Sequence, residues 1–136
     1  LVLSGIDSAQ KSILVAAYSF TSKPISAALL DAHRRGVDVR VVADAKANGK
    51  RYTAATYLAN HDVPVRLNDK YAILHDKFMV IDGATIETGS FNYTAAAANK
   101  NAENVLVLRD MPEMAARYTK EWQRLWDEGV ALEKRY

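Results

Sequence analysis

The spacing of apolar residues changes several times along the chain, and each change predicts an element. Leu1, Leu3, Ile6, Ala9 and Ile13 recur at roughly helical spacing with no cap ahead of them. The chain is therefore expected to open inside a helix, with a short segment ahead of Leu1 missing. Ile13 to Phe20 (ILVAAYSF) is a short, nearly continuous apolar run, the pattern of a strand buried on both faces. Thr21 or Ser22 can cap the helix that follows, Pro24 suits its first turn, and Arg34, Arg35 and Gly36 supply a cationic end and a left-handed stop. Val37 to Asp44 (VDVRVVAD) returns to β-branched residues. Ala45 to Lys50 reads as a polar loop, Arg51 to Asn60 as a second short helix, and Val63 to Leu67 (VPVRL) as a further strand.

The next stretch changes character. Lys77 to Ile81 (KFMVI) and Thr85 to Gly89 (TIETG) flank Asp82-Gly83, a strong short-range hairpin signal, so antiparallel pairing is expected there. Asn104 to Leu108 (NVLVL) makes one more buried strand. A long helix is predicted from about Met111 to Glu128, with Asp110 and Glu113 as a capping box, Met114, Tyr118, Trp122 and Leu125 along one face, and Gly129 at its end. Strands alternating with helices indicate an α/β fold: one mixed, largely parallel sheet sandwiched between helices, in a single domain over residues 1–136.

Composition narrows the chemistry. A chain of 136 residues buries roughly 68–70% of its unfolded surface, so neither disulfides nor a metal is needed to hold it together. With no cysteine there is no disulfide scaffold, thiolate zinc site or cysteine nucleophile. The 49% hydrophobic and 25% charged residues place it with globular domains, and a formal charge of +2 permits an anionic partner without demanding one. No apolar run approaches the ~20 residues of a membrane span.

Of the three histidines, none has a partner histidine at metal-ligand spacing. His33 sits in a cationic helix end and His61 in a turn, where surface roles are expected. His75 differs in its company, because His75-Asp76-Lys77 enters the hairpin and Gly89-Ser90-Phe91-Asn92 leaves it. Strand residues two apart face the same way, roughly 6.6 Å apart, so His75 and Lys77 share a face. A two-residue Asp82-Gly83 turn pairs Ile81 with Ala84, Lys77 with Thr88 and His75 with Ser90. A four-residue loop slides His75 opposite Asn92; either even loop keeps His75, Lys77, Ser90 and Asn92 on one face. An imidazole, an ammonium, a hydroxyl and a carboxamide so gathered form a poor core and a good cradle for a phosphate, with the histidine able to attack phosphorus. A solvent-facing hairpin with scattered polar residues has the same spacing.

These offsets match a family pattern. His75-x-Lys77, four residues, Asp82, six residues, then Gly89-Ser90-x-Asn92 resembles the HKD signature of the phospholipase D superfamily. The whole chain, from the opening helix to the helix with Trp122 and Trp126, resembles its small bacterial Nuc-type endonucleases. The resemblance implies a metal-independent phosphodiesterase with no cofactor, in which His75 attacks phosphorus to form a phosphohistidine and a second motif histidine protonates the leaving oxygen. Larger members carry two motif copies. A single copy implies a homodimer with a composite active site on the twofold axis, the symmetry-related His75 acting as general acid. The two reactive nitrogens are then expected on the order of 6–7 Å apart. Glu103, in Asn101-Ala102-Glu103, matches the family's acidic residue that hydrogen-bonds the far nitrogen of the nucleophile and fixes its tautomer; an exposed loop acid is its ordinary alternative.

Lys77, Ser90 and Asn92 are the phosphate-binding candidates on this reading, and Asp82 and Gly89 are structural members of the motif. Lys46, Lys50 and Arg51 read as solvated surface charge, and Trp122 and Trp126 as core or dimer packing. The leading expectation is an endonuclease of low sequence preference on DNA, with RNA a further substrate. The rivals are a phospholipase or cardiolipin hydrolase acting on membrane lipid, a non-catalytic nucleic-acid binding module, and a metal nuclease built on Asp44, Asp76 and Asp82. Small bacterial relatives suggest a periplasmic or secreted location.

Overall fold

A computed structural model describes residues 2–48, 53–70, 77–89 and 105–132. In chain order the elements are α1 (Val2–Asp7), β1 (Ser12–Ala17), α2 (Lys23–Arg34), β2 (Asp38–Asp44), α3 (Ala45–Asn48), α4 (Ala54–Asn60), β3 (Val65–Asn68), β4 (Phe78–Ile81), β5 (Thr85–Gly89), β6 (Val105–Leu108), α5 (Pro112–Asp127) and β7 (Val130–Ala131). The strands form one seven-stranded sheet in the order β6-β5-β4-β1-β2-β3-β7. The mixed sheet flanked by helices is as expected, but parallel pairing is confined to β1–β2 and β2–β3. The ladders β1–β4, β4–β5, β5–β6 and β3–β7 are antiparallel, so the sheet is not largely parallel. A tight turn requires this pairing only for β4–β5; the other three antiparallel ladders join strands more than fifteen residues apart, whose direction is set by the long connections between them.

The two faces explain the doubly apolar run of β1. Ile13, Val15 and Ala17 join Val39, Val41, Met79 and Ile81 under α1, α2 and α4. Ala16 faces the other way, with Val42, Phe78, Val80 and Ile86, against Ala115, Trp122, Leu125 and Trp126 of α5. Trp122 is buried, and its Nε1–H donates to the Val15 carbonyl at 2.9 Å, pinning α5 across the central strand. The Trp122 and Trp126 rings stack 5.0 Å apart, so both tryptophans are core residues.

Several boundaries differ from expectation for local reasons. Helix α2 keeps to expectation, with Ser22 the one of the two candidate caps that is used, its hydroxyl accepting the Ile25 N–H at 3.4 Å. Ala45 to Asn48 forms a short helical turn, not a polar loop, because the Asp44 carboxylate accepts the Ala47 N–H at 2.9 Å; Lys50 lies outside the described residues. Helix α4 starts at Ala54 behind a Thr53 cap, later than Arg51. The Asp110–Glu113 capping box does not form. Pro112 excludes its predecessor from helical geometry, so Met111 becomes the cap position, and Asp110 takes a φ of 55°. The buried stripe of α5 runs through Ala115 rather than Met114, which is 36% exposed.

Candidate active site

The site is built at the end of the sheet where β1 and β2 finish. Strand β4 runs antiparallel to β1, with Phe78 opposite Ala16, so Lys77 enters at the C-terminal end of β1. Phe78 also faces Thr88 in β5, which puts Gly89 at that same end. Ligands in open α/β sheets collect outside the carboxyl ends of parallel strands. His75, Ser90, Asn92 and Glu103 lie outside the described residues, as do Asp76 and Arg51.

Lys77 is 7% exposed, and its Nζ stands 6.0 Å from the centroid of the Tyr18 ring. An ammonium removed from water is costly, and the negative face of an aromatic ring offsets part of that cost. A low local dielectric also strengthens the attraction of such an ammonium for any anion that reaches it. Tyr18 follows β1 directly, in a segment held by Asn48. The Asn48 carboxamide is fully buried; its oxygen accepts the Phe20 N–H at 3.1 Å, and its nitrogen donates to the carbonyls of Asp44 at 3.0 Å and of Tyr18. Neither Tyr18 nor Asn48 was a sequence candidate. The apolar run reads as a strand through Phe20, whereas β1 ends at Ala17, so nothing local marks Tyr18 as leaving the strand or Asn48 as holding it.

The turn departs from the expected register. Ala84 N–H donates to the Ile81 carbonyl at 3.1 Å, as in a two-residue turn, but the Ala84 carbonyl is taken by the Met111 N–H at 2.8 Å. The ladder therefore begins one residue later, with Ile81 opposite Thr85 and Phe78, not Lys77, opposite Thr88. The loop is odd. Strand alternation alone then no longer carries Ser90 and Asn92 onto the Lys77 face.

Asp82 sits at the other end of the strand. Five residues separate it from Lys77, roughly 16 Å of extended chain. Its carboxylate accepts the N–H groups of Lys11 at 2.7 Å and of Gln10 and Ser12 at 3.1 Å, while its own N–H donates to the Ser12 carbonyl at 2.8 Å. Partial burial pushes its pKa up, yet those backbone donors and the Lys11 charge together hold it below the ordinary 3.8. Asp82 and Gly83, at φ of 55° and 68°, make the left-handed turn and lock it to the entrance of β1. Asp44, at the far end of β2 from the Asp38 that faces Ser12, is six strand residues away, roughly 20 Å. Asp44 and Asp82 therefore cannot share a metal ion. His33 and His61 end the helices that lead into β2 and β3, also away from Lys77. Lys46 is exposed on α3 beside the Lys77 end.

A family model described as a cardiolipin synthase, PLD-like domain matches residues 2–126. The chain belongs to the phospholipase D superfamily. Within that superfamily it is 38% identical over 117 residues to a phospholipase D of Rickettsia bellii, covering 86% of this chain and 58% of the relative. It is also 38% identical over 120 residues to a mitochondrial cardiolipin hydrolase of Xenopus laevis, covering 88% of this chain and 57% of the relative. The chain thus spans less than three fifths of these curated relatives. The crystal structure of Nuc, a phospholipase D family member from Salmonella typhimurium, superposes with a TM-score of 0.95 at 44% identity, over 98% of this chain and 89% of that one.

Proposed function

We propose that the chain is a metal-independent phosphodiesterase that cleaves DNA, and by the same chemistry RNA, as a homodimer. His75 attacks phosphorus and displaces the leaving oxygen, which takes a proton from the imidazolium of His75 in a second copy. Water then attacks the phosphohistidine, giving its proton to the now neutral His75 of the second copy; the P–N bond breaks, the phosphoryl group leaves on the water oxygen as the terminal phosphate of the product, and both imidazoles return to their starting states. Lys77, Ser90 and Asn92 hold the non-bridging oxygens, and Glu103 orients the nucleophilic ring. The observation that carries this reading is the buried Lys77, its ammonium 6.0 Å from the Tyr18 ring centroid, two positions along the chain from His75 and at the end of the sheet where the parallel strands finish.

Similarity to Nuc over nearly the whole of both chains favours nucleic acid as substrate. The phospholipase D and cardiolipin hydrolase relatives favour a second reading, hydrolysis of a phospholipid. Both are tested together by incubating the protein, and its His75→Ala variant, with supercoiled plasmid and with cardiolipin vesicles in excess chelator. The expected result is nicked plasmid, intact lipid and an inactive variant. Lipid cleavage without nicking moves the assignment to the second reading. Plasmid binding without cleavage of either substrate leaves a binding module, and activity lost to chelator leaves a metal enzyme.

A further inference from the structure

We infer that Asn48 and Tyr18 act as a positioning pair for Lys77, the buried carboxamide setting the Tyr18 ring and the ring setting where the ammonium meets a substrate phosphate; this rests on Lys77 being the phosphate-binding residue proposed above. Asn48 is the last residue of α3, yet its side chain reaches back to both strands that end beside the site. It accepts the Phe20 N–H and donates to the Tyr18 and Asp44 carbonyls, so one amide joins the exit of β1 to the exit of β2. Only a side chain with both a donor and an acceptor end can make that bridge. Aspartate is the same size but cannot donate to two carbonyls, and it would add charge beside Asp44. The loop has a second anchor, because the Phe20 carbonyl accepts the Ala54 N–H at 3.1 Å. Loss of the amide should thus loosen Tyr18 without unfolding the domain.

The role of Tyr18 in this arrangement belongs to its ring face, not its hydroxyl. The Nζ-to-centroid distance of 6.0 Å lies at the outer limit of a cation–π contact, so small movements of the loop change it. A ring held in place also restricts the four-carbon stem of Lys77, which otherwise loses rotamer freedom each time phosphate arrives.

The test is a double-mutant cycle on cleavage of a short DNA duplex. Tyr18→Leu should raise KM about threefold with a smaller change in kcat, Tyr18→Phe should restore it, and Asn48→Asp should raise it on the order of tenfold. In a Lys77→Met background Tyr18→Leu should cost nothing further. An equal cost in both backgrounds overturns the inference, as does failure of Tyr18→Phe to restore KM. If Asn48→Asp does not fold, the Tyr18 arm decides alone. The same cycle, read as duplex affinity in the His75→Ala protein, separates the two proposals. Coupling in binding without any wild-type cleavage sinks the catalytic reading and keeps the positioning pair, whereas cleavage with no coupling does the reverse.

Discussion

Lys77 and Asp82 belong to one short motif and do unrelated work, because five strand residues hold them at opposite ends of the sheet. Replacing Lys77 by Ala should lower kcat/KM by roughly 10²–10³ by removing a preorganised charge from the phosphate, while the urea midpoint stays close to wild type. Steady-state kinetics beside equilibrium unfolding checks both halves. Asp82→Asn should do the opposite. An amide replaces a carboxylate that gathers three backbone donors, costing about 1–3 kcal/mol of stability with turnover per folded molecule unchanged. The pH dependence has a definite sign. Since the folded Asp82 pKa lies below 3.8, its stabilisation is full well above that value and disappears as pH falls through the folded pKa. The wild-type advantage over Asn in urea melts should therefore shrink on acidification. The aspartate–glycine pair was legible as a turn from local chemistry alone. Lys77 was legible as a candidate by its spacing from His75, but its burial was not, since neighbours such as the Tyr18 ring come from a segment about sixty residues away in the chain.

Among the elements, the long helix illustrates what periodicity can and cannot place. Its extent was readable to within a residue at either end, and its tryptophan face was readable too. The capping arrangement was not, because Pro112 shifts the start by one residue and a long-range bond from Met111 to Ala84 takes over the anchoring. That same bond lengthens the β4–β5 loop to an odd count, so hairpin register was decided by a partner more than twenty residues away. The tie between α5 and β1 is testable. Trp122→Phe keeps most of the ring but removes the hydrogen bond to Val15, and should cost about 1–3 kcal/mol. Trp122→Ala also leaves a cavity and should cost about 3–5 kcal/mol by denaturant midpoint.

At the scale of the whole molecule, one motif per chain makes the proposed chemistry a property of two chains. If each site needs both His75 side chains, mixing equal amounts of wild type and His75→Ala under subunit exchange should leave about one quarter of the activity of the same total amount of wild type, where independent sites would leave about half. Activity proportional to the amount of wild type sinks the composite site. The wild-type rate should also follow a bell-shaped pH profile whose limbs belong to the histidine pair, since one ring must be neutral while the other is charged. DNA affinity should fall steeply with salt, as expected of phosphate contacts.

The sequence alone determined the features that depend on near neighbours: the two-faced strand β1, the capped helix α2, the Asp82-Gly83 turn, the tryptophan stripe and the motif spacing that led to the superfamily. Each is set by steric preference or by burial repeating at a fixed period, and both are visible within a short window. Tertiary structure decided the rest: the mixed pairing of the sheet, the odd loop, the separation of Lys77 from Asp82, and the Asn48 bridge beneath Tyr18. Those depend on hydrogen bonds and contacts between residues far apart in the chain, and no local pattern encodes which distant partner a buried carbonyl, amide or ammonium will find.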